Sequence, residues 1–118
     1  MCSIMALSKK HVSMEKFQAN FAKTNSRGPD MMQIEAIGDC VLGFQRLAIM
    51  GLDKSGMQPF LLHGNAVVCN GELYGFREEK KILEEQGYVF KSDSDCEIIL
   101  PMYEQYGVDM FEKLDAEF

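Results

Sequence analysis

Apolar residues in this chain come in short runs broken by polar, glycine and proline positions, and the spacing within each run predicts its element. Residues 2–7 (CSIMAL) are short and apolar and predict a buried strand. Ser13 is a fitting N-cap for a helix running to about Lys23, with Glu15 in its first turn and Met14, Phe17 and Phe21 on one stripe. Residues 24–30 (TNSRGPD) are dense in turn formers, and Gly28-Pro29 ends any helix there. Two strands follow, over 32–37 and 40–49, joined across Gly38-Asp39 as a hairpin. After a loop at 52–59, strands over 60–63 and 66–70 predict a second hairpin around Gly64-Asn65.

The second half alternates differently. A helix over 76–86 carries Glu78 and Glu79 in its first turn and has Gly87 just past its end. Residues 88–90 predict a brief strand, and 92–95 (SDSD) offer several N-caps for a helix with Ile98, Ile99, Met102 and Tyr106 on its apolar side, ended at Gly107. Pro101 conflicts with that helix, because a proline inside it should kink or restart it. Residues 108–114 predict a further short helix, and 115–118 the beginning of a strand. Helices mixed with hairpin-linked strands predict an α+β fold with a largely antiparallel sheet. The abrupt end in a strand carries the expectation of a piece of something longer.

Composition narrows the class without changing this picture. The 118 residues suffice for one domain, and shares of 47% hydrophobic and 25% charged are those of a globular protein. A net charge of -6 offers no reason to expect nucleic acid or an anionic membrane as partner. No apolar run approaches the roughly 18 residues of a membrane-spanning helix, and Lys9, Lys10 and His11 follow the first apolar stretch instead of preceding it, so a cytoplasmic location is expected. Cys2, Cys40, Cys69 and Cys96 form no CxxC pair, and neither His11 nor His63 lies at a ligand spacing from them, so no metal site is expected. Cys40, Cys69 and Cys96 are expected to be small buried hydrophobes, and the nine methionines core filler. Lys80 and Lys81, among Glu78, Glu79, Glu84 and Glu85, predict a solvated helix face. His11 and His63 are ordinary polar positions.

The candidate chemistry begins at Cys2. Once Met1 is removed, a thiol and a free α-amine share one residue, and the amine can serve as general base for its own thiol. Read alone, Cys2 is also simply the second residue of a tail. Asn70 offers a side-chain NH2 and Gly71 an unobstructed N–H to an oxyanion, although Asn-Gly is equally a hairpin turn. Arg46 suits a carboxylate, or is an exposed strand residue. Asp95 suits an ammonium, or is a helix N-cap.

Seven blocks in chain order carry a resemblance that weighs these alternatives: Met1-Cys2-Ser3-Ile4, Arg27-Gly28-Pro29-Asp30, the stretch from Leu42 to Ile49 (LGFQRLAI), Gly56-Met57-Gln58-Pro59, Asn70-Gly71-Glu72-Leu73-Tyr74, Ser94-Asp95-Cys96-Glu97 and the closing LDAEF from Leu114 to Phe118. Together they resemble the N-terminal glutaminase domain of glutamine-hydrolysing asparagine synthetases, a class II glutamine amidotransferase domain. The resemblance implies an N-terminal nucleophile hydrolase fold, an αββα sandwich of helices on largely antiparallel sheets, of which residues 1–118 would be a part lacking the C-terminal portion. It implies Cys2 as the nucleophile on glutamine, Asn70 and Gly71 as the oxyanion hole, and glutamine bound by Arg46, Leu47, Ile49, Met50, Asn70, Gly71, Glu72 and Asp95. Arg27–Asp30 would be architectural, shaping the loop beside the nucleophile.

The implied step needs no cofactor. The resemblance implies ATP and Mg2+ only for a synthetase domain, which residues 1–118 would lack and which would be the partner in a parent chain, with a homodimer left open. Phe44 stands where histidine is common, and Ser3 where glycine is commoner. Three readings remain: part of an asparagine synthetase converting aspartate, ATP and glutamine to asparagine, a related amidotransferase with another acceptor, or a truncated non-catalytic module.

Overall fold

In the computed structural model, residues 2–8, 12–48 and 54–118 are described; the expected roles of Met1, His11, Ile49 and Met50 lie outside them. Among the described residues, helices combine with seven strands, β1 (Ser3–Ser8), β2 (Met31–Ile37), β3 (Cys40–Arg46), β4 (Phe60–Leu62), β5 (Asn65–Val67), β6 (Glu72–Tyr74) and β7 (Asp115–Glu117), and every pairing is antiparallel. The α+β expectation is therefore met. No helix among the described residues is long and apolar enough to cross a membrane.

The largest sheet has the order β1-β3-β2, with the chain's first strand and its Gly38-Asp39 hairpin meeting on β3. Alternation sends Val41, Gly43 and Gln45 of β3 to one face together with Ser3, Met5 and Leu7 of β1. Helix α1 (Met14–Phe21) covers that face: Phe17 and Phe21 are each 1% exposed and pack with Val41, Met5, Leu7 and Ile34. Burial of each ring is worth on the order of 2–3 kcal/mol. Met14, expected on the same stripe, is exposed and takes no part in that core.

The Ser13 hydroxyl accepts from the Lys16 N–H at 3.3 Å, as an N-cap should. Ser13→Ala is expected to destabilise the chain by about 1 kcal/mol, read as a lower midpoint in urea unfolding with an unchanged slope. The helical path does not stop at Lys23 but tightens into a 3-10 helix over Ala22–Arg27, because Thr24 Oγ1 lies 2.9 Å from the Phe21 carbonyl and caps it.

A second core gathers Leu73, Leu83, Ile98, Ile99, Met102 and Met110 under helices α2 (Phe76–Glu85) and α3 (Ile99–Tyr106). The conflict at Pro101 resolves because residues Asp95–Ile98 form a separate 3-10 turn and α3 begins only at Ile99. Pro101 thus falls in the first turn of the α-helix, where its missing N–H has no intrahelical partner to lose. The β4–β5 turn centres on His63-Gly64, one residue earlier than expected, with His63 at φ 47°. Residues 88–90 form no strand. Residues 107–112 form a 3-10 helix (Gly107–Glu112), and β7 then pairs with β6.

Candidate active site

Cys2 sits at the mouth of β1, half-buried, its sulfur 3.5 Å from the Leu47 N–H, which donates to it, and 4.0 Å from the Leu47 carbonyl. Residues 27–30 hold the strand end that supplies this donor. The Asp30 carboxylate accepts from Ala48 N–H at 2.7 Å, Asp30 N–H donates to the Arg46 carbonyl at 3.1 Å, and Arg27 Nε reaches the Cys2 carbonyl at 3.5 Å. Gly28 lies so close to β3 that a Cβ there would stand 2.2 Å from the Gln45 carbonyl oxygen. This is the architectural role expected of the segment, and the glycine is required for space.

Cys2, Arg46 and Leu47 line a cleft of about 880 Å³ together with Asn70, Gly71 and Asp95. That volume falls within the range of small-molecule sites. Asn70 and Gly71 make no hairpin turn; they connect β5 to β6 at the cleft edge, and among the described residues no hydrogen bond engages the Asn70 amide. Their backbone is fixed from both sides. Gln58, 3% exposed, donates from Nε2 to the Cys69 carbonyl at 3.1 Å and accepts from the Cys69 N–H at 2.6 Å, so its amide imitates a neighbouring strand. On the other side, β7 approaches so closely that a Cβ on Gly71 would stand 2.5 Å from the Glu117 carbonyl oxygen.

The Asp95 carboxylate accepts from the Leu73 N–H at 2.7 Å through Oδ2. It therefore locks β6 to the 3-10 turn instead of capping its own helix; Ser94 holds the N-cap position. Glu72 is exposed on β6, whose alternation turns Leu73 inward, and it is not among the cleft-lining residues. Arg46 packs against Gly56, with Nη2 3.5 Å from where a Cβ would lie.

Several residues depart from their expected places. Cys40 is exposed, because the hairpin turn sets it at the very start of β3. Cys69 is half-buried and lines the cleft with the buried Cys96, whose sulfur lies 3.9 Å from the Gly71 carbonyl. The hydrogen bond with Cys69, then burial, push the Cys96 thiol well above the usual range, and the same bond lowers that of Cys69. Lys80 is no solvated residue: it is half-buried, donates to the Ser92 carbonyl at 2.8 Å and lies 5.2 Å from the centre of the Phe90 ring. Lys91, Ser92 and Arg77 also line the cleft, and nothing in their local pattern marked them. His63 pairs with Glu104 at 2.9 Å, far from this site in role and remaining an ordinary polar residue. Among the described residues no group of three or more His, Cys, Asp or Glu side chains could hold a metal ion.

Residues 1–118 match the glutamine amidotransferase domain family, and the chain is a member of it. Its relatives are glutamine-hydrolysing asparagine synthetases. A probable one from Acanthamoeba polyphaga mimivirus is 41% identical over 102 residues, covering 81% of this chain and 18% of the relative. A probable one from Dictyostelium discoideum is 36% identical over 125 residues, covering 100% and 22%, and one from Oryza sativa subsp. japonica is 38% identical over 124 residues, covering 100% and 20%. The chain thus spans about a fifth of the length of these relatives.

Proposed function

We propose that the chain is the glutamine-hydrolysing part of an asparagine synthetase, with Cys2 as its nucleophile. The observation that carries this reading is the gathering of Cys2, Arg46, Asn70, Gly71 and Asp95 on one cleft from segments up to 93 residues apart. With Met1 removed, the α-amine of Cys2 takes the thiol proton as sulfur attacks the side-chain amide carbon of glutamine. The oxyanion so formed accepts from the Asn70 amide and the Gly71 N–H. Collapse breaks the C–N bond, the amine's proton leaves with ammonia, and a γ-glutamyl thioester remains on Cys2. Water, deprotonated by the same amine, then releases glutamate.

Arg46 pairs with the substrate α-carboxylate and the remaining Asp95 oxygen with the α-ammonium. Leu47 lines the cleft beside them, and Ile49 and Met50, the further glutamine contacts that the resemblance implies, lie outside the described residues. Acyl transfer from nitrogen to sulfur to water is redox-neutral and needs no cofactor, whereas amidation of aspartate would draw on ATP and Mg2+ in a synthetase domain of a parent chain acting in the cytoplasm.

The finer fold assignment, an N-terminal nucleophile hydrolase with an αββα sandwich, is supported by the large antiparallel sheet, which α1 covers on one face and which carries buried Phe44 and half-exposed Ile4 on the other. The test is acid quenching of the Met1-processed chain during turnover of glutamine, with glutamate measured and peptides mapped by mass. A γ-glutamyl adduct on Cys2 is expected. Glutamate release with an adduct on Cys69, or with none, would overturn the assignment.

A further inference from the structure

On the face of β1 and β3 turned away from the cleft lies a closed polar knot that the glutaminase reading does not use. Gln45 is 0% exposed, Ser3 7%, and both point toward Thr24 at the end of the helical segment. The Ser3 hydroxyl donates to Thr24 Oγ1 at 2.9 Å. The Thr24 hydroxyl stands 2.8 Å from Gln45 Oε1 and 2.9 Å from the Phe21 carbonyl, so its single proton serves either acceptor. Gln45 Nε2 donates to that same carbonyl at 3.0 Å, and no buried side-chain nitrogen or oxygen among the described residues lacks a partner. A fully satisfied buried network of this kind fixes a unique geometry, since any displaced member would strand a polar group out of water.

Its position is what gives it a consequence. A chain end frays unless something ties it down, and Cys2 is one residue beyond the last ladder pair, Ser3 with Gln45. The strand's alternation places Ser3 in the knot and Cys2 on the opposite face, toward the Leu47 N–H and the cleft. Gln45 is in turn followed directly by Arg46. We propose that Ser3, Thr24 and Gln45 are positioning residues that clamp the nucleophile's strand end, and so hold the Cys2 sulfur at its attack position. The inference rests on Cys2 being the nucleophile, and its test separates the two.

The experiment uses the Met1-processed chain and its variants Thr24→Val and Gln45→Met, which keep shape and remove hydrogen bonding, with Thr24→Ser restoring the hydroxyl. Iodoacetamide labelling is followed peptide by peptide, with exposed Cys40 as internal standard and buried Cys96 as a monitor of general loosening. The Cys2-to-Cys40 rate ratio is expected to rise about threefold or more in the first two variants, while Cys96 stays protected. Glutaminase kcat is expected to fall about tenfold or more, as for a small misplacement of a reacting group, with KM within about twofold. Thr24→Ser should restore both readings. An unchanged Cys2 ratio, or Cys96 becoming reactive in step with Cys2, would overturn the clamp. Glutamate release that persists in Cys2→Ala would instead remove the nucleophile, while the labelling ratio still decides the clamp.

Discussion

Substitution of Cys2 by alanine is expected to lower glutamate release by about 10⁴-fold or more, with glutamine affinity retained. Nucleophile removal has effects of this size where the nucleophile forms the covalent intermediate, because no neighbouring group can take over the bond. Here Cys69 and Cys96 are the only other thiols on the cleft among the described residues. Cys96 is held as a thiol by its bond to Cys69 and its burial, and neither carries an α-amine to act as base. Affinity should survive because Arg46 and Asp95, which would grip the two charged ends of glutamine, stand on other segments than β1. The measurement is glutamate production beside calorimetric titration with glutamine. Parallel loss of rate and affinity would mean that Cys2 shapes the pocket instead of reacting in it.

The contrast between what the chain's pattern disclosed and what it hid follows from the range of the interactions. The hairpin across Gly38-Asp39, the Ser13 cap, and the helix that ends before Gly87 are local, and each was legible from spacing and turn chemistry. The candidate site residues came from the seven sequence blocks and not from periodicity; of them Cys2, Arg46, Leu47, Asn70, Gly71 and Asp95 line one cleft, and Glu72 does not.

Periodicity reads which face a residue occupies; it does not say which distant backbone group will capture a polar side chain. Gln58 imitating a strand beside Cys69, Asp95 pinning Leu73, and Gln45 closing a knot with Ser3 and Thr24 all span 11 residues or more. For the same reason Lys80 looked like one more charge on an acidic helix until the loop carrying Phe90 and Ser92 folded against it. Residues 88–90 failed as a strand because no described segment offers them a ladder, while Phe90 packs against the second core. Three amide or carboxylate side chains, Gln58, Asp95 and Gln45, thus organise backbone at or beside the site, and their roles depend wholly on the tertiary fold.

The second large effect concerns Asn70, on the same cleft as Cys2. Asn70→Ala is expected to reduce kcat by about 10²–10³-fold, equivalent to roughly 2.7–4 kcal/mol of transition-state stabilisation, with little change in KM. The reason for the split is that an oxyanion exists only after attack, so a donor aimed at it is worth little to bound glutamine. The amide is available for this: no described group binds it, while its backbone is gripped through Cys69 by Gln58 and through Gly71 by β7. Preorganisation of that kind is what makes a single donor effective, because no reorganisation is needed when charge develops. Asn70→Asp should be at least as damaging, since the nearly isosteric carboxylate loses the N–H donor and sets a negative charge against the oxyanion. Steady-state kinetics of the two variants decide the point. A loss under about fivefold in kcat for both would remove Asn70 from the oxyanion hole and leave the Gly71 N–H as its sole supported donor; a loss confined to KM would make Asn70 a ground-state contact to glutamine.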